Sequence, residues 1–367
     1  MADRPHIFDL TPDTLGELIA GWGMPAYRAG QVLEWVYQQQ VTDLRQMTNL
    51  GKADREILSD KLAFTRGRVL GHQLATDGTQ KMLIDWSLSP QDSNNALNVL
   101  GDSSSQTECV MIPADDAKPR RTACISSQIG CAVGCKFCAS GLGGLDGNLT
   151  AGQIVQQVWQ LGTLDGVGRI SHIVFMGMGE PLANFAEVTR AIRTINAPWG
   201  LGISGRRITV STVGLPSQIR RLADLDIPIT LAVSLHAPND ELRRQLIPWA
   251  KSVTIDELIN AGRAYFNRSG REVTLEYILL GGVNDQPQHA HELARVAKHL
   301  RSNVNLIRYN EVASLPFARP TDAAVRHFQN ILQAAGINCH IRASRGRDIA
   351  AACGQLRHEH GNTSSAQ

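Results

Sequence analysis

Apolar side chains recur with a helical period along the first sixty residues. Val32 and Val36 lie one turn apart on the same face of a predicted helix. Start signals for a preceding helix are Thr11 followed by Pro12 and the capping-box spacing of Thr14 with Glu17. The sequence therefore predicts a small helical domain over residues 1–62.

Short apolar runs separated by polar breaks follow in residues 63–115 and predict a short β segment. The polar stretch at 91–106 within it has the composition of a loop or insertion. Strand-like and helix-like patterns then alternate through residues 116–356, and residues 357–367 resemble a frayed tail. At least six strand-then-helix units predict an α/β fold with a parallel sheet, either barrel-like or doubly wound.

The placement of unusual residues favours the barrel. Polar or glycine-rich clusters follow successive predicted strands, and the carboxyl ends of all strands in a β/α barrel meet on one face. Packing alone would not repeat such clusters strand after strand. They lie at residues 131–138, 177–180, 211–212, 234–236 and 310. We therefore predict a partial β/α barrel with a functional site at this face.

The composition excludes some classes of protein. Of 367 residues, 43% are hydrophobic and 19% charged, which is enough for a sizeable core and excludes a disordered chain. A net charge of +2 excludes a protein that coats nucleic acid through charge alone. No apolar run approaches the roughly 18 residues of a membrane span, and the first residues lack a secretion signal. We expect a soluble, cytoplasmic protein without a membrane partner.

Positive charge is nevertheless concentrated in one part of the chain. Residues 181–221 contain six arginines and one acidic residue. Clustered arginines suit RNA phosphates, and a solvated helix face is the alternative.

Three of the seven cysteines, Cys131, Cys135 and Cys138, form a C-x3-C-x2-C motif. Such clustering in a cytosolic chain indicates metal or redox chemistry rather than disulfides. A structural zinc ion usually takes four ligands in two pairs, and no second pair follows. Three thiolates can instead hold a [4Fe–4S] cluster with one iron open to an external ligand. We favour the cluster, with zinc or a loop of packed cysteines as alternatives.

The other four cysteines divide into two kinds. Cys109 and Cys339 lie in apolar strands and are expected in the core. Cys353 follows a basic, glycine-containing stretch and precedes Gly354. Nearby arginines favour a thiolate, so Cys353 is a candidate nucleophile. Cys124 lies seven residues before the metal motif, and a buried small side chain is the alternative for both.

The cysteine motif, with Phe137 before its last cysteine, resembles the radical S-adenosylmethionine (SAM) superfamily. The resemblance implies that the three motif cysteines hold one [4Fe–4S] cluster whose open iron binds SAM. The protein would then supply placement and exclusion of water. The SAM-binding residues that it implies are Gly179, Glu180, Ser211, Ser234, Leu235, His236 and Asn310. For His236 taken alone, a hydrogen-bonded core histidine is the alternative.

A narrower resemblance spans about residues 5–356. The chain is similar to the RlmN/Cfr family of RNA adenine methyltransferases in the motifs CISSQIGCAVGCKFCASG, FMGMGEPLAN, STVG, SLHAPND, GVND, NLIRYN and DIAAACGQL. The most specific signatures are Cys124 and Cys353, since an ordinary radical SAM enzyme does not need cysteines outside the cluster.

The resemblance implies a mechanism that uses two SAM molecules per turnover. Cys353 would become an S-methylcysteine, whose methylene radical adds to an adenine carbon. Glu108 would accept the ring proton, and Cys124 would free the product through a transient disulfide with Cys353. Without the resemblance, Glu108 would be interpreted as a solvated carboxylate at a strand end.

The resemblance also implies the product and the partners. The expected reaction is methylation at C2 of an adenosine in the peptidyl-transferase centre of 23S rRNA, and of the adenosine beside the tRNA anticodon. Methylation at C8 is the alternative, towards which Arg308 points. The helical region at 1–62 would be an RNA-binding accessory domain. A flavodoxin or ferredoxin would donate electrons, and we expect a monomer.

Two other functions compete with this hypothesis. A radical SAM enzyme acting on a non-RNA substrate would not need Cys124 or Cys353. A non-catalytic iron–sulfur or zinc protein that binds RNA would hold metal but would not cleave SAM.

Overall fold

The computed structural model of the chain describes residues 4–87, 105–114 and 120–356. The predicted tail at 357–367 lies outside the described residues, as does all but the last two positions of the polar stretch 91–106. Within the three described ranges, no helix is long and apolar enough to cross a membrane.

Three helices form in the region predicted to be helical: α1 (Pro12–Gly21), α2 (Arg28–Tyr37) and α3 (Lys52–Lys61). Helix α2 buries Val32 and Val36, as predicted. The Thr11 hydroxyl caps α1 by accepting from the Thr14 backbone N–H, and the Thr14 hydroxyl accepts from the Thr11 N–H. The predicted box of Thr14 with Glu17 was wrong, because Thr14 already lies in the first turn of the helix.

Twelve strands are found in the described ranges. They are β1 (Arg68–Leu74), β2 (Gln80–Asp85), β3 (Gln106–Ala114), β4 (Arg120–Cys124), β5 (Gln128–Gly130), β6 (Leu145–Asn148), β7 (His172–Phe175), β8 (Ile208–Thr212), β9 (Thr230–Ser234), β10 (Val273–Leu279), β11 (Ser302–Arg308) and β12 (Cys339–Arg342). Strands β5 and β6 form a separate antiparallel ribbon, and the other ten form one sheet.

The large sheet has an antiparallel part and a parallel part. Strands β1 to β4 are antiparallel neighbours, and β4 then pairs in parallel with β7. Strands β7 to β12 continue in parallel and in chain order, so the edges are β1 and β12. This arrangement confirms the predicted partial β/α barrel, whose sheet is not closed.

Helices connect the parallel strands as the alternating pattern predicted. They are α4 (Ala151–Gly162), α5 (Phe185–Asn196), α6 (Pro216–Ala223), α7 (Asp240–Leu246), α8 (Ile255–Ser269), α9 (Pro287–Ala297) and α10 (Asp322–Ala334). Six strand-then-helix units therefore precede β12. The carboxyl ends of the parallel strands consequently meet on one face.

The outer face of the sheet packs against the helices, including those of the N-terminal region. The ring of Phe8 lies 5.5 Å from that of Trp159 on α4. The Trp159 indole N–H donates to the Val36 carbonyl at 2.9 Å. Each fully buried large apolar side chain stabilises the fold by roughly 1.5–3 kcal/mol. Because one core spans residue 62, the division into domains at 62, 115 and 356 stays a prediction.

The inner face of the sheet has a second, smaller core. Side chains alternate along β3, so that Cys109 and Met111 join the outer core while Val110 faces inward. Val110 is the cross-strand partner of Cys124, which faces the same way. The inner face therefore brings side chains of the antiparallel strands towards the site at the strand ends.

Candidate active site

A cleft of about 820 Å³, measured with its opening to solvent, lies at the carboxyl ends of the parallel strands. The cysteine loop forms one wall, and the rest is formed by residues at or near the carboxyl ends of β7 to β12, by residues just beyond them and by Glu276 inside β10. The predicted site residues that line this cleft are Cys131, Cys135, Cys138, Gly179, Glu180, Ser211, Ser234, His236 and Cys353.

The cysteine loop is held by backbone hydrogen bonds. The Cys131 N–H donates to the Gly144 carbonyl at 2.7 Å. The Ala139 N–H donates to the Gly354 carbonyl at 2.8 Å, which attaches the loop to the segment that carries Cys353. These bonds fix the loop so that its three thiols line the same cleft.

Glu180 is held at the cleft by its backbone surroundings. Its carboxylate accepts from the Val213 N–H at 2.7 Å and from the Leu182 N–H at 2.9 Å. Burial raises the pKa of Glu180, and these hydrogen bonds oppose the shift. The preceding Gly179 has a φ of +100°, and a Cβ there would lie 2.6 Å from the Cβ of Gln128. Only glycine fits this approach of two backbones.

His236 is also fixed by the backbone. It has a φ of +60°, and its Nδ1 accepts from the Ile278 N–H at 3.1 Å. Burial lowers the pKa of His236 to about 3, so the ring is neutral at neutral pH. Nearby, the hydroxyls of Ser211 and Ser234 lie 3.2 Å apart and share one hydrogen bond. His236 is therefore hydrogen-bonded within the fold and also lines the cleft.

Two predicted SAM contacts lie elsewhere. The side chain of Leu235 is fully buried in the outer core. Its N–H donates to the Glu276 carbonyl, and its own carbonyl accepts from Arg243, so Leu235 is not part of the cleft wall. Asn310 lines an adjoining cavity instead, where its Nδ2 donates to the Cys353 carbonyl at 3.4 Å.

This adjoining cavity, of about 530 Å³ including its opening, contains the two cysteines outside the metal motif. We call it the thiol cavity, because Cys124 and Cys353 both line it. Cys353 also lines the cleft and thus lies in the wall between the two. Burial raises the pKa of Cys124 to about 12, an effect to which Cys353 adds and which Arg342 opposes. Cys109 and Cys339 are buried in the outer core, as predicted.

Arg342, at the end of β12, is a site residue that the sequence did not predict. This side chain lines both the cleft and the thiol cavity, and its Nη1 lies 3.0 Å from the sulfur of Met176. Proximity to Cys353 raises the pKa of Arg342, and Glu276 and Cys124 add to the effect. The signal that could have found it is a basic residue at the end of a strand whose neighbours end in the site.

Glu108 is not the solvated carboxylate at a strand end that the sequence suggests without the family resemblance. It lies inside β3 and is 4% exposed. Its Oε1 pairs with the Lys81 ammonium at 2.8 Å, and the same ammonium donates to the Ala350 carbonyl at 3.4 Å. Because Val110 is paired with Cys124 and lies two residues further along β3, Glu108 and Cys124 face the same side of the sheet.

The six arginines of residues 181–221 are all exposed. Arg206 and Arg207 directly precede β8, at the end of the sheet opposite the cleft. Arg190 pairs with Glu187, and Arg221 stacks on Phe185 at 4.2 Å. A solvated helix face accounts for Arg190 and Arg221, and RNA contact by the stretch stays a prediction.

Comparisons with known proteins agree with this geometry. The Radical SAM superfamily model matches residues 125–294, and the model of the ribosomal RNA large subunit methyltransferase N-terminal domain matches residues 6–63. A protein of Rhodopirellula baltica named "Probable dual-specificity RNA methyltransferase RlmN" is 42% identical over 99% of this chain and 94% of its own length. A protein of Nitrosopumilus maritimus named "Ribosomal RNA large subunit methyltransferase N" is 40% identical over 96% and 98%.

The chain belongs to the RlmN family of radical SAM RNA methyltransferases. The crystal structure of a radical SAM methyltransferase from Sphaerobacter thermophilus has the same fold, with a TM-score of 0.88. It is 43% identical and covers 96% of this chain and 99% of its own. The RlmN family assignment thus rests on nearly the whole length of the chain.

Membership of the radical SAM superfamily implies a [4Fe–4S] cluster and SAM. Three partly buried thiols, Cys131, Cys135 and Cys138, line one cleft and are the ligand type of such clusters. Burial raises the pKa of Cys131 to about 12, so the uncharged thiol is favoured until metal displaces the proton. In the described ranges, no three metal-binding side chains enclose a single ion. The donor set fits a [4Fe–4S] cluster, in which three of the four irons would each take one of these thiolates.

Proposed function

We propose that this enzyme methylates C2 of an adenosine in RNA and that Cys353 carries the methyl group to the base. The observation that supports this most directly is the position of Cys353. It lines the cleft with the motif cysteines and Glu180, and it lines the thiol cavity with Cys124. From that wall, the Cys353 sulfur can receive a methyl group on one side and pass it to the adenine of the RNA on the other.

When bound, the cluster and SAM supply the methyl group and the 5′-deoxyadenosyl radical. The Cys353 thiol loses its proton, and its sulfur bonds to the methyl carbon as the bond from that carbon to the SAM sulfur breaks and S-adenosylhomocysteine leaves. The S-methyl carbon becomes a methylene radical when one of its hydrogen atoms passes to the 5′-deoxyadenosyl radical from a second SAM, which leaves as 5′-deoxyadenosine. That carbon then bonds to adenine C2 and links RNA to the sulfur. The adduct loses one electron, which the oxidised cluster would take back, and its C2 proton, which Glu108 would accept, so that the aromatic ring is restored.

Cys124 completes the reaction. Its thiolate attacks the Cys353 sulfur, so that a disulfide forms as the bond from sulfur to methylene breaks. The electron pair of that bond remains on the methylene carbon, which takes up a proton and becomes the methyl group. An external donor of two electrons must then reduce the disulfide. The shared cavity of Cys124 and Cys353 supports this role.

Glu108 is the proposed acceptor of the C2 proton. Its position on the same face of the sheet as Cys124 supports this, and the bond to Lys81 holds its Oε1. The carboxylate would have to be ionised to act as a base.

The proposed substrates are 23S rRNA and tRNA, since the relatives are named dual-specificity RNA methyltransferases. To reach C2, the enzyme must bring the adenine out of its stack. Arg308, which suggested the C8 product, forms an ion pair with Asp322 of α10 at 3.2 Å. That pairing gives Arg308 a structural role. We also propose a monomer that works in the cytoplasm with a flavodoxin or ferredoxin as electron donor.

Nucleoside mass spectrometry tests the proposal. Anaerobically reconstituted protein is given unmodified 23S rRNA and tRNA with SAM and a reductant. We expect 2-methyladenosine in both RNAs. Detection of 8-methyladenosine would overturn the C2 assignment, and cleavage of SAM without any methylated adenosine would overturn RNA as the substrate.

A further inference from the structure

Glu276 is a buried carboxylate in the cleft to which the proposed mechanism gives no role. It lies in the middle of β10, in register with Ser234 on β9 and Asn305 on β11. It is 3% exposed. Its Oε1 accepts from the Asn305 amide at 3.2 Å, and its Oε2 has no hydrogen-bond partner.

An unpartnered carboxylate oxygen in such a place is costly. Buried polar groups are normally hydrogen-bonded, and one that is not suggests a ligand that completes it. Burial raises the pKa of Glu276, and Arg342 and Asn305 only partly oppose the shift. Arg342 also lines the cleft, yet Glu276 Oε2 accepts no hydrogen bond from it or from any other described residue. A ligand group can therefore lie beside both.

The chemistry of that group follows from its neighbours. A carboxylate oxygen needs a donor, whereas the Arg342 guanidinium needs an acceptor. A hydroxyl can satisfy both, and the Ser234 hydroxyl can both donate and accept. An ammonium only donates and a carboxylate only accepts, so neither completes the set.

The positions of Glu180 and Glu276 in the sheet indicate which part of SAM would lie beside Glu276. The Glu180 carboxylate accepts from the Val213 N–H just after β8, whereas Glu276 lies on β10, two strands away and about 10 Å along the sheet. A SAM molecule whose amino group approaches Glu180 would therefore reach Glu276 with a different part. The ribose is the part that carries hydroxyls.

We propose that Glu276 binds a ribose hydroxyl of SAM, with the free Oε2 as acceptor. This inference rests on the proposed function, because it takes the cleft to be the SAM site. A ribose hydroxyl of the target RNA is the other source of the same chemistry, and a test without RNA separates the two.

The test is calorimetric binding to anaerobic, cluster-loaded protein without RNA. The probes are S-adenosylhomocysteine and its 2′-deoxy and 3′-deoxy analogues. Hydrogen bonds to charged groups are strong enough that we expect one deoxy analogue to bind wild type about ten- to a hundredfold more weakly than S-adenosylhomocysteine. In Glu276→Gln, S-adenosylhomocysteine should weaken to about that level, with less than about threefold discrimination left between the probes.

Glu272→Gln is the matched control, because Glu272 is a half-exposed carboxylate just before the same strand and pairs with Arg301 at the surface. It should bind all three probes as wild type does. An analogue without the adenine amino group adds a further arm. The hydroxyl assignment is overturned if Glu276→Gln binds that analogue as tightly as S-adenosylhomocysteine, unlike wild type, but still binds a deoxy analogue as much more weakly as wild type does.

The result does not depend on the folding of the variant. If wild type binds S-adenosylhomocysteine and both deoxy analogues equally well, the inference is contradicted even if Glu276→Gln cannot be purified. Failure of the proposed function looks different: discrimination at the ribose would persist while no methylated adenosine is formed.

Discussion

The cleft and the thiol cavity share a wall but are held in different ways. In the cleft, backbone N–H groups fix the polar side chains, as at Glu180 and His236. In the thiol cavity, Cys353 belongs to a segment that carries left-handed residues at Ala350 and Gly354. The two regions thus differ in what they require. The cleft side chains are held in place before a cofactor binds, whereas the proposed role of Cys353 requires its sulfur to react with several partners in turn.

Contacts to distant elements hold the segment that carries Cys353. Asp348 accepts from the Thr76 N–H at 2.9 Å, and the Gly346 N–H donates to Asp77 at 3.0 Å. Both partners lie in the turn between β1 and β2. The antiparallel hairpin, which is outside the parallel barrel, thus positions the proposed methyl carrier.

The largest expected effect separates the two regions. Cys353→Ala should lower the rate of RNA methylation by more than about a thousandfold, because no sulfur carries the methyl group. Reductive cleavage of SAM should stay within several-fold of wild type, since the cleft is intact. Mass spectrometry of nucleosides and of 5′-deoxyadenosine measures both activities. Cys339→Ala, at a buried cysteine of β12 outside the site, is the control. RNA methylation by Cys353→Ala would contradict the role of Cys353 as the methyl carrier.

A second variant tests the thiol cavity alone. Cys124→Ala should lower turnover by more than about a hundredfold and accumulate a covalent RNA–protein adduct, because no thiol displaces the RNA from Cys353. Denaturing gel electrophoresis with labelled RNA detects the adduct. Cys109→Ala, at a buried cysteine of the adjacent strand, should form none. Normal turnover without an adduct would contradict the resolving role.

A third variant tests the cleft. Gly179→Ala places a Cβ 2.6 Å from that of Gln128 at a φ of +100°. The strain should cost about 1–3 kcal/mol and displace Glu180. We expect SAM affinity to fall at least about tenfold, and cleavage and methylation to fall together. Equilibrium binding and both product assays measure this. Gly143→Ala, with open space around its Cβ, is the control. A loss of methylation alone would mean that the two regions are not separable.

The smallest effect concerns acid stability of the cleft. The pKa of His236 is about 3 in the fold and ordinarily about 6.5, so protonation favours the unfolded chain. The stability contributed by neutral His236 is complete above pH 6.5 and is lost as the pH falls towards 3. At pH 5 the loss is about 2 kcal/mol. Urea unfolding at pH 7 and pH 5 should show this extra loss in wild type but not in His236→Gln. An equal loss in both would place the acid sensitivity elsewhere.

Local signals in the sequence predicted much of the fold. The caps, the apolar periods and the alternation after residue 116 correspond to the helices and strands that form. The capping box at Thr14 was wrong because two overlapping spacings compete, and the structure uses the one that includes Pro12. The burial of Glu108 could not be predicted, because it depends on β2 and β4 flanking β3.

The site was predictable only where its residues follow strand ends in recognisable motifs. Arg342 and Glu276 carry no motif, and their importance comes from neighbours on other strands. Leu235 follows β9 beside two cleft residues, but alternation turns its side chain into the core. Such choices between faces depend on register across the sheet, which a single strand does not encode.

The central claim is that Cys353 carries the methyl group between the two regions. The most direct measurement gives the enzyme SAM with a fully deuterated methyl group and analyses both protein and RNA by mass spectrometry. We predict a deuterated methyl group on Cys353 before RNA is added. The methyladenosine formed afterwards should retain two methyl deuteriums, because one is abstracted and the last hydrogen comes from solvent. A product that retains all three deuteriums, or a Cys353 that is never methylated, would contradict the account.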